Sequence, residues 1–144
     1  MSGGASRAKT LFLLDTSAIF ALLEDEPGAA RVEHILREEE AILPFVVALE
    51  VYYISLQERG EQVAAGRHAM LRALPLRHIN DVSEAVVLTA GRFKAKYPIS
   101  LADALIAAVA HEQGAILVHK DPEYQVLHDQ VRLEALPHKP RRKE

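Results

Sequence analysis

Residues 10–14, Thr-Leu-Phe-Leu-Leu, form an unbroken apolar run that ends at Asp15. A strand wet on one face alternates polar and apolar residues, whereas one covered on both faces reads as a continuous apolar stretch. The segment therefore predicts a strand buried inside a parallel sheet. Asp15 then falls at the carboxyl end of that strand, the edge at which open α/β sheets take their ligands.

The remaining pattern supports the same architecture. Thr16 to Leu23 has helical spacing, Pro27 suits the first turn of a second helix reaching about Glu40, and residues 41–43 read as a short strand before Pro44. Glu38 to Glu40 is read as the exposed end of that second helix. Helical periodicity runs from Phe45 to about Arg59 and stops at Gly60, and residues 61–73 continue as an antiparallel neighbour. Residues 76–79 and 115–118 are predicted strands. Asp81 or Ser83 caps a helix running to about Lys96, Ser100 caps another ending near Gly114, and a last strand is expected at 131–133. Short strands alternating with helices predict an α/β layered fold with a mainly parallel sheet of four to five strands and right-handed crossovers.

A chain of 144 residues, 49% hydrophobic, can bury one sizeable core but not two. One domain is expected over 10–136, between a flexible extension at 1–9 and a basic tail at 137–144. The first nine residues lack the apolar core of a secretory signal, and the greasiest stretch, 41–54, is too short for a bilayer and carries Glu50. The absence of cysteine excludes a disulfide scaffold, a zinc–thiolate site and a cysteine nucleophile, and the cytoplasm is the expected compartment. A net charge of −3 argues against a basic nucleic-acid coat, but an acidic site can carry its positive charge as metal ions.

Four acids stand out, each with a plainer alternative. Asp15 could simply cap the following helix, and Asp121, before Pro122, could simply start a turn. Glu50 has Val46, Val47, Tyr53 and Ile54 as its helical neighbours, a face on which a lone charge is costly unless paired, hydrogen-bonded or metal-bound. Asp103 is similarly surrounded by Ile99, Ile106 and Ala107, although Ser100-Leu-Ala-Asp103 also matches a capping box. Taken together, two acids at strand ends and two on apolar helix faces can converge, and nearby carboxylates repel unless cations or protons intervene. Mg²⁺ or Mn²⁺, oxygen-seeking and tolerant of water and phosphate ligands, is the natural occupant.

In order and spacing, Leu13-Leu-Asp15-Thr-Ser17-Ala-Ile19, the isolated Glu50 of Ala48-Leu-Glu-Val51, Ser100-Leu-Ala-Asp103-Ala-Leu-Ile-Ala-Ala108 and Ile116-Leu-Val-His-Lys-Asp121 resemble the PIN-domain ribonucleases. Within that family the chain is most similar to the VapC-type toxins of toxin–antitoxin pairs. The resemblance spans about residues 10–135 and implies a three-layer α/β/α fold around a twisted sheet. It also implies an acidic pocket for one or two Mg²⁺ or Mn²⁺ ions, and hydrolysis of RNA to 5′-phosphate and 3′-hydroxyl ends. On this resemblance Asp15, Glu50, Asp103 and Asp121 are the metal-binding acids, and Ser17 is the small polar residue that hydrogen-bonds within the site. Many members carry Thr or Ser two places before the last acid, where this chain has His119; the aromatic that follows that acid is Tyr124. His119 is open to two readings, a group acting on water or phosphate and a packed or solvent-facing ring.

Beyond the acids, Arg92, Lys94 and Lys96 interleave with Phe93 and Tyr97 and could neutralise and stack single-stranded RNA, or form only a solvated helix. Phe20, Leu23, Leu49, Tyr52 and Tyr53 are ordinary core or, where exposed, resemble the groove in which such toxins accept an antitoxin segment. Homodimers are usual in the family. Competing functions are a non-toxin RNA-processing nuclease, a non-catalytic binding module, and a haloacid-dehalogenase-type phosphatase. The phosphatase wants a second Asp where Ser17 stands. A phospho-receiver lacks a well-placed lysine, and His111-Glu112 has no second histidine in register for an HExxH metal site.

Overall fold

A computed structural model describes residues 8–138. The expected extension at 1–9 and basic tail at 137–144 therefore lie outside the described residues, apart from 8, 9, 137 and 138. Along the chain the elements are β1 (Leu11–Leu14), α1 (Thr16–Leu23), α2 (Ala29–Glu38), β2 (Glu40–Pro44), α3 (Phe45–Arg59), α4 (Glu61–Ala73) and β3 (Arg77–Ile79). There follow α5 (Glu84–Lys96), α6 (Leu101–Gln113), β4 (Ile116–His119), a 3₁₀ helix (Pro122–Leu127) and β5 (Leu133–Ala135). All four strand pairings are parallel, in the order β3-β2-β1-β4-β5. Helices cover both faces of the sheet, giving the three-layer α/β/α fold.

The strand order places β1 at the centre. The chain builds outward from β1 through β2 to β3, then crosses back to lay β4 on the other side. The direction of winding reverses between β1 and β4, and a crevice opens beyond the carboxyl ends of strands at such a point. Leu14 pairs with Val118, and the Asp15 N–H donates to the Val118 carbonyl at 3.0 Å, so the first residue past β1 is still held in the ladder. Phe12, Leu13, Leu14, Ile42, Leu43, Leu117 and Val118 are buried, as strands covered on both faces require.

Local chemistry sets the helix ends. Ser83 caps α5 by accepting from the Val86 N–H, and Ser100 caps α6 by accepting from the Asp103 N–H. α6 closes at Gly114, whose left-handed backbone lets the Ala115 N–H reach back to the Ala110 carbonyl.

Three expectations are corrected. Pro27 does not open α2; it lies in the preceding turn, and Gly28 at φ 101 is the cap, a conformation that the rule of proline in the first turn does not foresee. Glu38 is the exposed end of α2, but the half-buried Glu39 accepts from the Thr10 N–H at 3.0 Å and Glu40 already belongs to β2, so only the first of the three acids is an exposed helix end. The last strand begins at Leu133 and not at Val131, because the Val131 N–H is spent on the Leu127 carbonyl as the 3₁₀ segment finishes. β5 is instead tied to α2 by two hydrogen bonds from Arg31 to Glu134, at 2.7 and 3.0 Å, with the guanidinium over the Phe12 ring.

A side chain at Gly28 would meet Leu136 at 3.0 Å in a backbone region that L residues avoid. Gly28→Ala is expected to lower stability by about 2 kcal/mol. In urea denaturation this appears as a lower midpoint at unchanged slope, and an unchanged midpoint would contradict the strain at this turn.

Candidate active site

The short link from β1 into α1 carries the first acid. Asp15 is both helix cap and buried charge: one carboxylate oxygen accepts from the Ser17 N–H at 3.1 Å and from the Ser17 hydroxyl. The other lies 2.7 Å from the Tyr124 hydroxyl. A buried carboxylate is costly unless its oxygens find donors, and these supply them. Ser17 Oγ in turn accepts from the Lys120 N–H at 2.9 Å, which fastens the end of β4 to the start of α1.

Tyr124, on the 3₁₀ helix and fully buried, joins the second acid to the first. Its hydroxyl lies 3.0 Å from Asp103 Oδ1 as well as 2.7 Å from Asp15 Oδ1, so one phenolic proton is shared between two acceptors. Burial and both carboxylates push the phenol pKa far up, and it remains a donor at any working pH. Only half of the capping box forms at Asp103: Ser100 Oγ accepts its N–H, while its carboxylate turns to Tyr124.

Asp121 caps the 3₁₀ helix by accepting from the Glu123 N–H at 2.9 Å. One oxygen each of Asp103, Asp121 and Glu123 lies within 4.8 Å of the others. Glu50, projecting from α3, accepts from the Thr16 hydroxyl at 2.7 Å and contributes to the charge felt at Asp103. Thus Tyr124 joins Asp15 to Asp103, Asp121 and Glu123 lie beside Asp103, and Glu50, held by Thr16, acts on Asp103 through its charge; Glu123, Thr16 and the Tyr124 hydroxyl were not singled out by the sequence for these contacts. Glu123 follows Asp121 by two residues and Thr16 adjoins Asp15, but nothing in a linear pattern tells that their side chains reach the other acids.

Crowded negative charge leaves its mark on two carboxyls. Burial, then Asp15, then Asp121 and Glu50 push Asp103 up to about 6 against the stabilising bond from Tyr124. Burial chiefly, and also Asp15, push Glu50 up, opposed by the Thr16 bond. The donor set is all oxygen, anionic and drawn from separate parts of the chain, which suits a hard divalent cation.

His119 is a packed residue: its Nδ1 accepts from the Asp121 N–H at 3.1 Å and its ring lies 5.1 Å from that of Tyr124. The basic strip is largely committed elsewhere. Lys94 donates to the Ile99 carbonyl, Arg92 donates to Thr89, and Phe93 is buried in the core, so it offers no face for stacking a base.

The sequence matches the PIN domain over residues 12–129. No curated protein matches the sequence. Solved structures share its fold at low identity. VapBC2 from Rickettsia felis, bound to a DNA fragment from its promoter, is 17% identical with a TM-score of 0.75, over 89% of this chain and 100% of that one. VapBC-1 from nontypeable Haemophilus influenzae is 21% identical with a TM-score of 0.68, over 88% and 98%. VapC20 from Mycobacterium tuberculosis, a toxin that cleaves the sarcin–ricin loop, is 16% identical with a TM-score of 0.66, over 81% and 94%.

A carboxyl whose pKa rises on folding binds its proton more tightly in the folded chain. Its contribution to stability is therefore present below about pH 4 and is lost as the pH climbs through about 6. In chelator at pH 7.5, Asp103→Asn is expected to stabilise the metal-free protein by about 1 kcal/mol, the half-exposed position screening the rest. Urea titrations at pH 4 and 7.5 check this: the gain should vanish at the lower pH, and a variant less stable at pH 7.5 would contradict the crowding.

Proposed function

The chain belongs to the PIN-domain family, a family of nucleases, and from that premise we propose that it is a Mg²⁺- or Mn²⁺-dependent endoribonuclease, the toxin of a toxin–antitoxin pair. One observation supports the reading: Asp15 and Asp103, from separated stretches, share the Tyr124 hydroxyl, Asp121 and Glu123 lie beside Asp103, and Glu50 is near enough for its charge to act on Asp103. The nuclease is a single domain over 10–136.

Asp15, Glu50, Asp103 and Asp121 are the metal-binding acids, with Ser17 completing the site. A bound Mg²⁺ or Mn²⁺ supplies Lewis acidity, lowering the pKa of water and offsetting charge on the phosphodiester. The protein's part is to hold its acids in place beforehand. Ser17 and Tyr124 orient Asp15, Thr16 orients Glu50, and Asp103, crowded by Asp15, is the acid whose repulsion a bound cation would relieve. No side chain acts as nucleophile, and hydrolysis leaves 5′-phosphate and 3′-hydroxyl ends. A phosphatase of the dehalogenase type is disfavoured, because Ser17, standing where its second Asp is needed, is taken up by Asp15 and the Lys120 amide.

The antitoxin reading is supported by the outer face of α3, where Leu49, Tyr52 and Tyr53 are 56%, 39% and 41% exposed. Leu49 and Tyr52 line a groove of about 510 Å³ shared with Ala65 and Ala69 of α4. Phe20, by contrast, packs partly against the core beneath the Arg67 guanidinium. A homodimer in the cytoplasm is the proposed working form. Among the described residues no helix is long and apolar enough to cross a membrane.

Incubating the protein with single-stranded and structured RNAs, with Mg²⁺ or Mn²⁺ and with chelator, tests the activity. Cleavage is expected only with metal, and Asp103→Asn should reduce it about a hundredfold or more while leaving the fold intact. Undiminished turnover by that variant, or equal cleavage in chelator, would overturn the assignment.

A further inference from the structure

We propose that His119 is a positioning residue for the acidic site: its neutral ring, as an acceptor for the Asp121 N–H and a wall for Tyr124, fixes where both deliver their oxygens. The inference rests on the metal-site reading above and deepens it by adding a residue that touches neither metal nor substrate.

The geometry begins with the turn after β4. His119 Nδ1 lies 3.1 Å from the Asp121 amide nitrogen, two residues ahead. An amide can only donate, so Nδ1 carries no proton and the ring is the neutral tautomer protonated on Nε2. The same relation, a side chain accepting from the amide two places on, recurs at Asp15 with Ser17 and at Asp121 with Glu123. Asn, Asp, Ser and Thr commonly build such turns with oxygen. Here an imidazole nitrogen serves, and the larger ring also reaches Tyr124, its centroid 5.1 Å away at a tilt of 59°. His119 thus bears on Asp121 through the backbone and on Asp15 and Asp103 through the phenol that lies between them.

The other ring nitrogen strengthens the argument. Nε2 is buried and has no hydrogen-bond partner among the described residues. A donor stranded in the core is a cost that leucine or phenylalanine would avoid while filling the same space. A histidine here is therefore accounted for by what Nδ1 does.

Two measurements on the full chain test the proposal. In isothermal titration with Mn²⁺, His119→Asn, which keeps an acceptor for the Asp121 amide, should bind within about threefold of wild type. His119→Leu, which fills the space without an acceptor, should bind about 10–100-fold more weakly, the range seen when outer partners of ligands are removed. Equal affinity of His119→Leu and wild type, or equal loss in both variants, would overturn the proposal. A wild type that binds no Mn²⁺ would overturn the metal reading and this inference with it. Because the leucine variant could fail to fold, nitrogen chemical shifts of the wild-type ring give an independent readout. The Nε2-protonated tautomer and a slowly exchanging Asp121 amide are expected, and a ring protonated on Nδ1 would overturn the proposal.

Discussion

Tyr124 offers one proton to two carboxylates, and the rest of the site exists to make that arrangement tolerable. Asp15 and Asp103 come from distant parts of the sequence and approach the same phenol oxygen at 2.7 and 3.0 Å. Neutral hydrogen bonding cannot satisfy both, so unfavourable charge remains and falls chiefly on Asp103. Ser17 donates twice more to Asp15. A site that keeps like charges together without a cation stores repulsion that a divalent ion would release, the electrostatic reason for reading it as a metal centre.

The scaffold resists the repulsion by placing each acid where the backbone has little freedom. Asp15 is clamped between the β1–β4 ladder and the first turn of α1. Asp121 caps one helix and is itself held by His119. Lys120 ties the two strand ends together: its amide donates to Ser17, and its ammonium donates to the Pro27 carbonyl beside Glu26. The α1–α2 turn is thereby fastened to the end of β4, next to Gly28 and Leu136. Sheet topology, helix caps and site acids are one set of contacts, which is why the reversal point between β1 and β4 can serve as a reaction crevice.

Much of the fold could be read from local signals, because those signals are local in cause. Apolar runs without alternation marked β1 and β4, Gly60 and Gly114 marked where α3 and α6 end, Ser100 marked where α6 begins, and of the two candidates Asp81 and Ser83 the second opens α5. Misreadings arose where a tertiary contact outranked local pattern. Gly28 displaced Pro27 as the cap in a turn packed on Leu136, Glu39 left helix geometry to anchor β1, and the Val131 amide was claimed by Leu127. The four acids stood out because a charge on an apolar face or a strand end is costly. What joins them stood out only through the family resemblance, as the aromatic after the last acid, and nothing in the pattern told that its hydroxyl reaches two carboxylates. Phe93 erred the other way, appearing to belong to a basic surface while its ring serves the core.

The central claim is that these carboxylates together make a seat for a divalent cation. Anomalous diffraction at the manganese edge, from crystals equilibrated with Mn²⁺, tests it directly. A peak within coordination distance, about 2–2.5 Å, of oxygens from at least two of Asp15, Glu50, Asp103 and Asp121 is the result the account predicts. Manganese bound only elsewhere, or a crevice still empty at saturating Mn²⁺, would contradict it.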